Sequence, residues 1–294
     1  MKTSRPGFLL LTPVCVFLAV SLAVYTGNTI NSMDFILILI GALFAHISVN
    51  VLNEHYDFKS GLDKNTIKTP FSGGSGALLE QPQALNLVFL TGILSLGITI
   101  VLGLYLVYLK GLELLVPGII GILLIVFYSG WINKKPILCL FAPGIAFGPV
   151  MVVGTYLYLT GAVDLKVVIL SFMPLFLVSN LLLLNQLPDI KPDRQAGRKT
   201  FPIKYGINVS LLIFGLFNLA GGLILLLGIY FELFPKTMAL SLIPLSLVLS
   251  VLFGAKKHAD KPLKLVPYMS LNVAALILIL SSIGLTLILE RPMH

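Results

Sequence analysis

Apolar residues come along this chain in long unbroken runs rather than in the short alternations of a half-buried strand or the stripes of a surface helix. Runs long enough to cross a bilayer core, about 20 residues, recur nine times. They extend approximately from Gly7 to Gly27, Asp34 to Leu52, Ala84 to Leu109, Leu112 to Gly130, Ile137 to Thr160, Leu165 to Leu184, Val209 to Phe231, Met238 to Gly254 and Val266 to Leu289. The pattern predicts an all-α, polytopic integral membrane protein with nine transmembrane helices and no soluble domain. Lys2 and Arg5 precede the first run as they would in a signal peptide. That run is longer than a signal core and no small-x-small cleavage site follows, so it is assigned as a helix. The one long polar connection is Asn53 to Gln83.

Composition supports a bilayer environment. The chain is 57% hydrophobic and 11% charged, where a soluble domain carries roughly a quarter charged residues. The net charge of +8 is distributed by membrane side. With nine spans, 16 Lys and Arg residues fall on the side of the N-terminus and four (Lys110, Lys166, Lys236, Arg291) on the other. This is the positive-inside pattern and places the N-terminus in the cytoplasm. Lys256, Lys257, Lys261 and Lys264 need only set orientation, and no nucleic-acid partner is implied. Cys15 and Cys139 stand alone in apolar runs, without a CxxC or a histidine at ligand spacing, and read as small buried hydrophobes.

Two polar constellations break the apolar pattern. In "NVLNEHYDFKSGLD" (50–63), Asn50, Asn53 and Asp57 follow i, i+3, i+7, which puts them on one helix face. Gly61 permits a turn that brings Asp63 back toward Asp57. In "NQLPDIKPDRQAGRKT" (185–200), Asn185, Asp189 and Asp193 recur every four residues, followed by Arg194, Gly197, Arg198, Lys199 and Thr200. Pro188 and Pro192 remove backbone donors, so the helix should kink or restart there. Both constellations contain Asn-x-x-x-Asp and both end an even-numbered span, hence share the cytoplasmic side. The offset of four helices suggests two related halves facing each other. Four carboxylates at one mouth require cations, and a hard divalent ion such as magnesium takes one or two carboxylates plus substrate phosphate oxygens. Arg194, Arg198 and Lys199 can neutralise the phosphate oxygens left over. The constellations together read as a clamp for a metal-bound diphosphate. "GGSG" (73–76) can form an anion-binding nest or a lid hinge. Asn50 suits a helix–helix hydrogen bond as well as a site role; His46 reads as a packing residue, Glu54 and His55 as surface residues.

On these residues the chain resembles the UbiA superfamily of membrane-intrinsic prenyltransferases, in particular its naphthoate-prenylating branch. The resemblance rests on Asn53-x-x-x-Asp57-Phe58-x-x-Gly61-x-Asp63, on Asn185-x-x-x-Asp189-x-x-x-Asp193-Arg194-x-Ala196-Gly197-x-x-Thr200, and on "FGPVMVVGTYLYLTG" (147–161). Glu54 stands where the family often has aspartate, Arg198-Lys199 reverses the usual order, and Pro188 replaces a common arginine. The resemblance implies a single membrane domain over residues 1–294 and two magnesium ions, one on Asp57 and Asp63, the other on Asp189 and Asp193. Asn53 and Asn185 would orient ligands, with Asp57 and Asp189 the acids on which catalysis depends. It further implies transfer of a polyprenyl group from an isoprenoid diphosphate to an aromatic acceptor, by an allylic cation that aromatic faces can hold; Tyr128, Phe147 and Tyr156 are the candidates. The branch points to 1,4-dihydroxy-2-naphthoate and menaquinone biosynthesis in a bacterial or archaeal cell membrane. Hydroxybenzoate, homogentisate, a porphyrin and a glycerol-phosphate lipid are alternatives within the superfamily. A secondary transporter is the alternative outside it, but its coupling charges would lie near the bilayer midplane; here nearly all ionisable residues are at span ends.

Overall fold

The computed structural model describes residues 2–62, 66, 68–71 and 73–291, and every regular element among them is helical. The principal helices are α1 (Pro6–Tyr25), α2 (Ser32–Lys59), α3 (Pro82–Lys110), α4 (Leu112–Tyr128), α5 (Pro136–Thr160), α6 (Leu165–Asn185), α7 (Phe201–Tyr230), α8 (Lys236–His258) and α9 (Pro262–Leu289). Eight of these described helices are long and apolar enough to cross a membrane, where the sequence pattern predicts nine. The difference is α4. At 1.5 Å per residue it reaches about 25 Å, short of the ~30 Å hydrocarbon core.

Helix α2 shows how length positions chemistry. Asn31 caps it, its side chain accepting from the Met33 and Asp34 amides. Its 28 residues extend about 42 Å, further than the hydrocarbon core needs, so the last turns carrying Asn53 and Asp57 emerge at the far face.

Helix α6 is the most enclosed of the spans and packs against α5, α7 and α9. The approach of α5 to α6 depends on Gly144 and Gly148. A Cβ at these positions would fall 2.1 Å from the Leu175 carbonyl oxygen and 2.3 Å from that of Ser171. Small residues four apart let two membrane helices touch backbone to backbone. Pro143 and Pro149 lie inside α5, and the segment Ala146–Val152 widens into π-helix. Leu18 and Leu22 of α1, Met173 of α6 and Ile279 of α9 are fully buried in one continuous core. Leu87, Leu90, Leu94 and Val101 of α3 are exposed, an apolar surface suited to lipid rather than water.

On one side of this core, α2 to α5 surround a cavity of about 510 Å³, closed at one end by the N-terminal segment and the segment after α6. Ile38, Ala42, His46, Val49, Asn53 and Asp57 line it from α2. Their spacing of three and four makes one continuous helix face.

Candidate active site

Asp57 lies one half-turn before the end of α2, and Asn53 one turn before that. The Asn53 amide donates to Asp57 Oδ2 at 2.8 Å, while the Ser129 hydroxyl donates to Asn53 Oδ1 at 3.1 Å. That pair of bonds fixes both which way the amide faces and where the carboxylate sits. The second constellation follows α6. The chain leaves the helix at Asn185, turns, and restarts as the short helix Ile190–Gln195 with Asp189 just before it, as the two prolines predict. Gly197, at φ 77°, then turns the chain back, and the Arg198 amide closes on the Asp193 carbonyl at 2.9 Å.

The turn delivers Arg198 between the two constellations. Its Nη1 donates to Asp193 Oδ1 at 3.1 Å, and its Nη2 pairs with Asp57 Oδ1. Burial alone would disfavour the guanidinium charge, but the Asp57 and Asp193 carboxylates outweigh it and raise the Arg198 pKa. Burial, reinforced by the neighbouring Asp193, pushes Asp189 up to about 7 against the Gly73 amide, Arg198 and Arg5. Burial likewise pushes Asp193 up to about 6, with Arg198 opposing it and Asp57 adding to it.

A third segment covers the mouth. The Gly73 amide donates to Asp189 Oδ2 at 3.1 Å. Glu54, with no exposed surface, accepts from the Ser75 amide at 3.0 Å, from the Ser75 hydroxyl and from Arg5 Nη2 at 3.3 Å. Gly73, Gly74 and Gly76 all have positive φ, which lets the 73–76 segment turn so that its Gly73 amide meets Asp189. Arg5 lines the cavity and holds a left-handed backbone at φ 51°, unusual for a residue with a side chain.

Two buried oxygens at the mouth, Asn185 Oδ1 and Asp189 Oδ1, have no hydrogen-bond partner among the described residues. Buried acceptors left unpaired are costly, and carboxylate and amide oxygens are the donor type a magnesium ion selects. Among the described residues no three His, Cys, Asp or Glu side chains form a metal site by themselves. The donor set suits an ion that completes its shell with water and substrate oxygens.

The sequence matches the UbiA prenyltransferase family over residues 13–286. The chain belongs to this family. It is 30% identical over 208 residues to a 1,4-dihydroxy-2-naphthoate octaprenyltransferase of Bacillus subtilis (strain 168), an alignment covering 70% of this chain and 65% of that protein. A UbiA homolog from Aeropyrum pernix K1 superposes with a TM-score of 0.69 at 16% identity, over 94% of this chain and 96% of the other. A UbiA homolog from Archaeoglobus fulgidus, bound to DMAPP and Mg2+, superposes with a TM-score of 0.64 at 16% identity, over 98% of each chain. At these identities the two structures establish a shared fold.

Within this UbiA fold the cavity wall brings together Asn53, Asp57, Asn185, Asp189, Asp193 and Arg198 at its polar end. Tyr128 and Phe147 also line it, with Phe147 edge-on to His46 at 5.0 Å. Asp63 lies outside the described residues. Arg194 and Lys199, expected at the diphosphate, are exposed and do not line the cavity. Each adjoins a buried or half-buried site residue, Asp193 or Arg198, and neighbouring side chains cannot share a direction. Tyr156, expected at the reacting carbon, lies in the helix core with its hydroxyl 3.1 Å from Thr26 Oγ1. Tyr158 lines the cavity instead.

Glu54 and His55, read from sequence as surface residues, are both buried. The signal available for Glu54 was its place inside the motif; for Arg5 there was none beyond its charge. His46 packs as expected, its Nδ1 2.9 Å from Thr12 Oγ1, and it also lines the cavity. Asn50 Nδ2 donates to the Ser4 carbonyl at 3.0 Å, tying α2 to the N-terminal segment, and the residue lines the cavity.

Proposed function

We propose that the protein is a magnesium-dependent prenyltransferase that moves a polyprenyl group from an isoprenoid diphosphate to an aromatic acceptor, 1,4-dihydroxy-2-naphthoate. The observation that carries this reading is the cavity itself: two acidic motifs from separate parts of the chain meet at one end, and apolar walls run from there the length of α2. A diphosphate at the polar end and a prenyl tail along the walls fit that polarity. The dihydroxynaphthoate acceptor is favoured by the motif details and by similarity to the Bacillus subtilis octaprenyltransferase.

In this proposal Asp57 and Asp63 hold one magnesium ion and Asp189 and Asp193 the other. Bound there, magnesium supplies the positive charge that lets the diphosphate leave. Asn53 fixes the Asp57 carboxylate, and Asn185 offers its unpaired oxygen to a ligand shell. Arg198 turns from Asp57 and Asp193 toward the diphosphate once other cations neutralise those acids. Arg5, which lines the cavity beside Glu54, adds a second guanidinium, and the Gly73 amide adds a neutral donor. The allylic C–O bond breaks with its electron pair leaving on the diphosphate. Phe147 and Tyr128 present ring faces to the resulting cation, each worth roughly 0.5–2 kcal/mol. A ring carbon of the acceptor then bonds to the allylic carbon, and the hydrogen or carboxylate that carbon carried leaves as a proton or as carbon dioxide, its bonding pair returning to the ring. The 73–76 segment, latched on Glu54, excludes water from the cation during this interval.

The chain works as one catalytic unit over residues 1–294, with its N-terminus and the cavity mouth on the cytoplasmic side of a bacterial or archaeal cell membrane, as the charge asymmetry supports. A membrane location suits the substrate, since a polyprenyl tail gains about 0.8 kcal/mol per buried methylene and stays in the bilayer. The test is mass spectrometry of the products made by purified protein from one prenyl diphosphate and a panel of acceptors. A prenylated naphthoquinol as the dominant product is expected. Dominant prenylation of hydroxybenzoate, homogentisate, a porphyrin or a glycerol-phosphate lipid overturns the acceptor assignment, and absence of any diphosphate release overturns the reaction.

A further inference from the structure

Three buried polar side chains near the carboxylates are given no role by the proposed reaction. Asn133 lies in the short turn between α4 and α5, Gln186 just past the end of α6, and Thr200 immediately before α7. All three line the cavity, and each is at most 7% exposed. The backbone joins two of these connections, the Lys199 amide donating to the Asn133 carbonyl at 3.1 Å. A relay of hydrogen bonds ties Asn133 to the first acidic motif. Its Nδ2 donates to the Ser129 carbonyl at 2.5 Å, and the Ser129 hydroxyl donates to Asn53, which in turn holds Asp57. Gln186 commits its own amide nitrogen to Cys139 Sγ at 3.3 Å. Both amides thus use their donors within the fold, and Asn133 Oδ1 and Gln186 Oε1 have no partner among the described residues. Thr200 Oγ1 is unpaired in the same sense. It stands at a helix N-cap, where a threonine hydroxyl ordinarily accepts from a first-turn amide, and makes no such bond.

We infer that Asn133, Gln186 and Thr200 form the subsite for the acceptor ring and select rings that carry free hydroxyl groups, an inference that rests on the prenyl-transfer reading above. Buried acceptors left unpaired are costly, so these oxygens favour a ligand that brings hydrogens to them. A diphosphate does not, because its outer oxygens are themselves acceptors, and a prenyl tail has no polar hydrogen. A hydroxylated ring meets both demands of the wall. Its O–H groups donate to the two amide oxygens, and its flat apolar faces suit Leu124, Ala142 and Leu182, which line the cavity around Cys139. The Thr200 hydroxyl can donate as well as accept, so it serves a ring hydroxyl or a ring carboxylate. An O–H that donates to an amide oxygen gathers electron density on its own oxygen and passes part of it to the ring. The adjacent ring carbon is then the better nucleophile toward the allylic cation.

The experiment compares purified wild type with Gln186→Met and Thr200→Val, which keep the side-chain shape and remove the polar oxygen. KM is measured for the preferred acceptor of the panel above, for its methyl ether and for one prenyl diphosphate, at saturating Mg2+. Each variant should raise the acceptor KM by about three- to tenfold, the loss of one hydrogen bond, and leave the KM for prenyl diphosphate within about twofold. The wild type should favour the free hydroxyl over the ether by about a hundredfold or more in kcat/KM, as a site built to bind a hydroxyl does. Gln186→Met should cut that preference by about tenfold; the reactivities of the two rings cancel between the two proteins, so the change reports the contact. An acceptor KM unmoved in both folded variants overturns the inference and leaves water as the partner of these oxygens. A rise confined to the KM for prenyl diphosphate, or to the Mg2+ requirement, overturns it by placing the oxygens at the metal-bound diphosphate. If neither variant folds, a wild type with equal KM for the acceptor and its ether overturns it. A preferred acceptor without a ring hydroxyl does the same. A wild type that transfers no prenyl group to any acceptor overturns the prenyl-transfer reading and this inference with it, whereas transfer with unmoved constants overturns only the inference.

Discussion

Arg198 and Asp57, 141 positions apart in sequence, are joined as an ion pair, and the same guanidinium holds Asp193. One side chain thus stitches the end of α2 to the segment after α6. It places a positive charge between two acidic motifs where the proposed reaction needs one. Removing it should weaken the metal-free protein, because breaking a buried pair leaves uncompensated carboxylates at a cost of about 3–5 kcal/mol. Arg198→Gln should therefore unfold at lower temperature in chelator, and added Mg2+ should restore more of the loss than it adds to the wild type. Thermal unfolding in one detergent, with and without the ion, reads this directly. Equal Mg2+ shifts for both proteins would show that the cation and Arg198 do not share a site.

Chelation should abolish diphosphate release, and Mg2+ should restore it. Asp57→Ala and Asp189→Ala should each lower the rate by about a thousandfold, the several kcal/mol of charge stabilisation a bound metal supplies. Size-exclusion profiles should stay monodisperse. Turnover that survives in EDTA would refute the metal assignment.

The raised carboxylates carry a pH signature. Asp189 at about 7 and Asp193 at about 6 keep protons in the folded state that the unfolded chain has already released near its ordinary value of 3.8. The folded state thus binds more protons between these limits, so stability falls as pH rises through the window. In chelator the protein should resist denaturation better at about pH 5.5 than at about pH 8. Asp189→Asn should flatten that slope. Because metal and proton compete for the same oxygens, the apparent Mg2+ affinity should weaken as pH falls through the same range.

The basic residues should separate by position rather than by charge. Arg5→Gln should raise the KM for prenyl diphosphate by about tenfold or more, the loss of a charge-assisted contact of about 1.5–3 kcal/mol, and leave the acceptor KM nearly unchanged. Lys199→Gln, and the double change Lys256→Gln with Lys257→Gln, remove charges that are exposed and should leave both constants within about twofold. A similar rise in all three variants would mean that a general surface field, and not Arg5, attracts the diphosphate.

Orientation can be read with thiols, since both native cysteines are buried. Lys199→Cys should react with an impermeant maleimide only from the cytoplasmic side, and Lys166→Cys only from outside. Labelling of both from one face would abolish the proposed topology, and the exchanged pattern would reverse it.

Much of this protein was legible along one dimension. Apolar runs must match the bilayer thickness, so the helices and their order follow from length and hydropathy. The two Asn-x-x-x-Asp segments could be paired because both end even-numbered runs, a matter of counting. Only the tertiary structure decided which neighbours face inward. Successive helical residues differ by about 100° in direction, so Glu54 is buried one position from Asn53, while beyond the helix the Gly197 turn sends Arg198 into the cavity wall and leaves Lys199 exposed. That direction depends on how each helix is rotated by its contacts. In α5 the contact is Gly144 and Gly148 against the α6 backbone, and the π-helical turn from Ala146 to Val152 shifts the rotation of all that follows. Tyr158 rather than Tyr156 therefore reaches the cavity. Arg5 is the extreme case: its charge was visible in sequence, but its partner Glu54 lies 49 positions away, and only the packing of the N-terminal segment against α2 brings the two together.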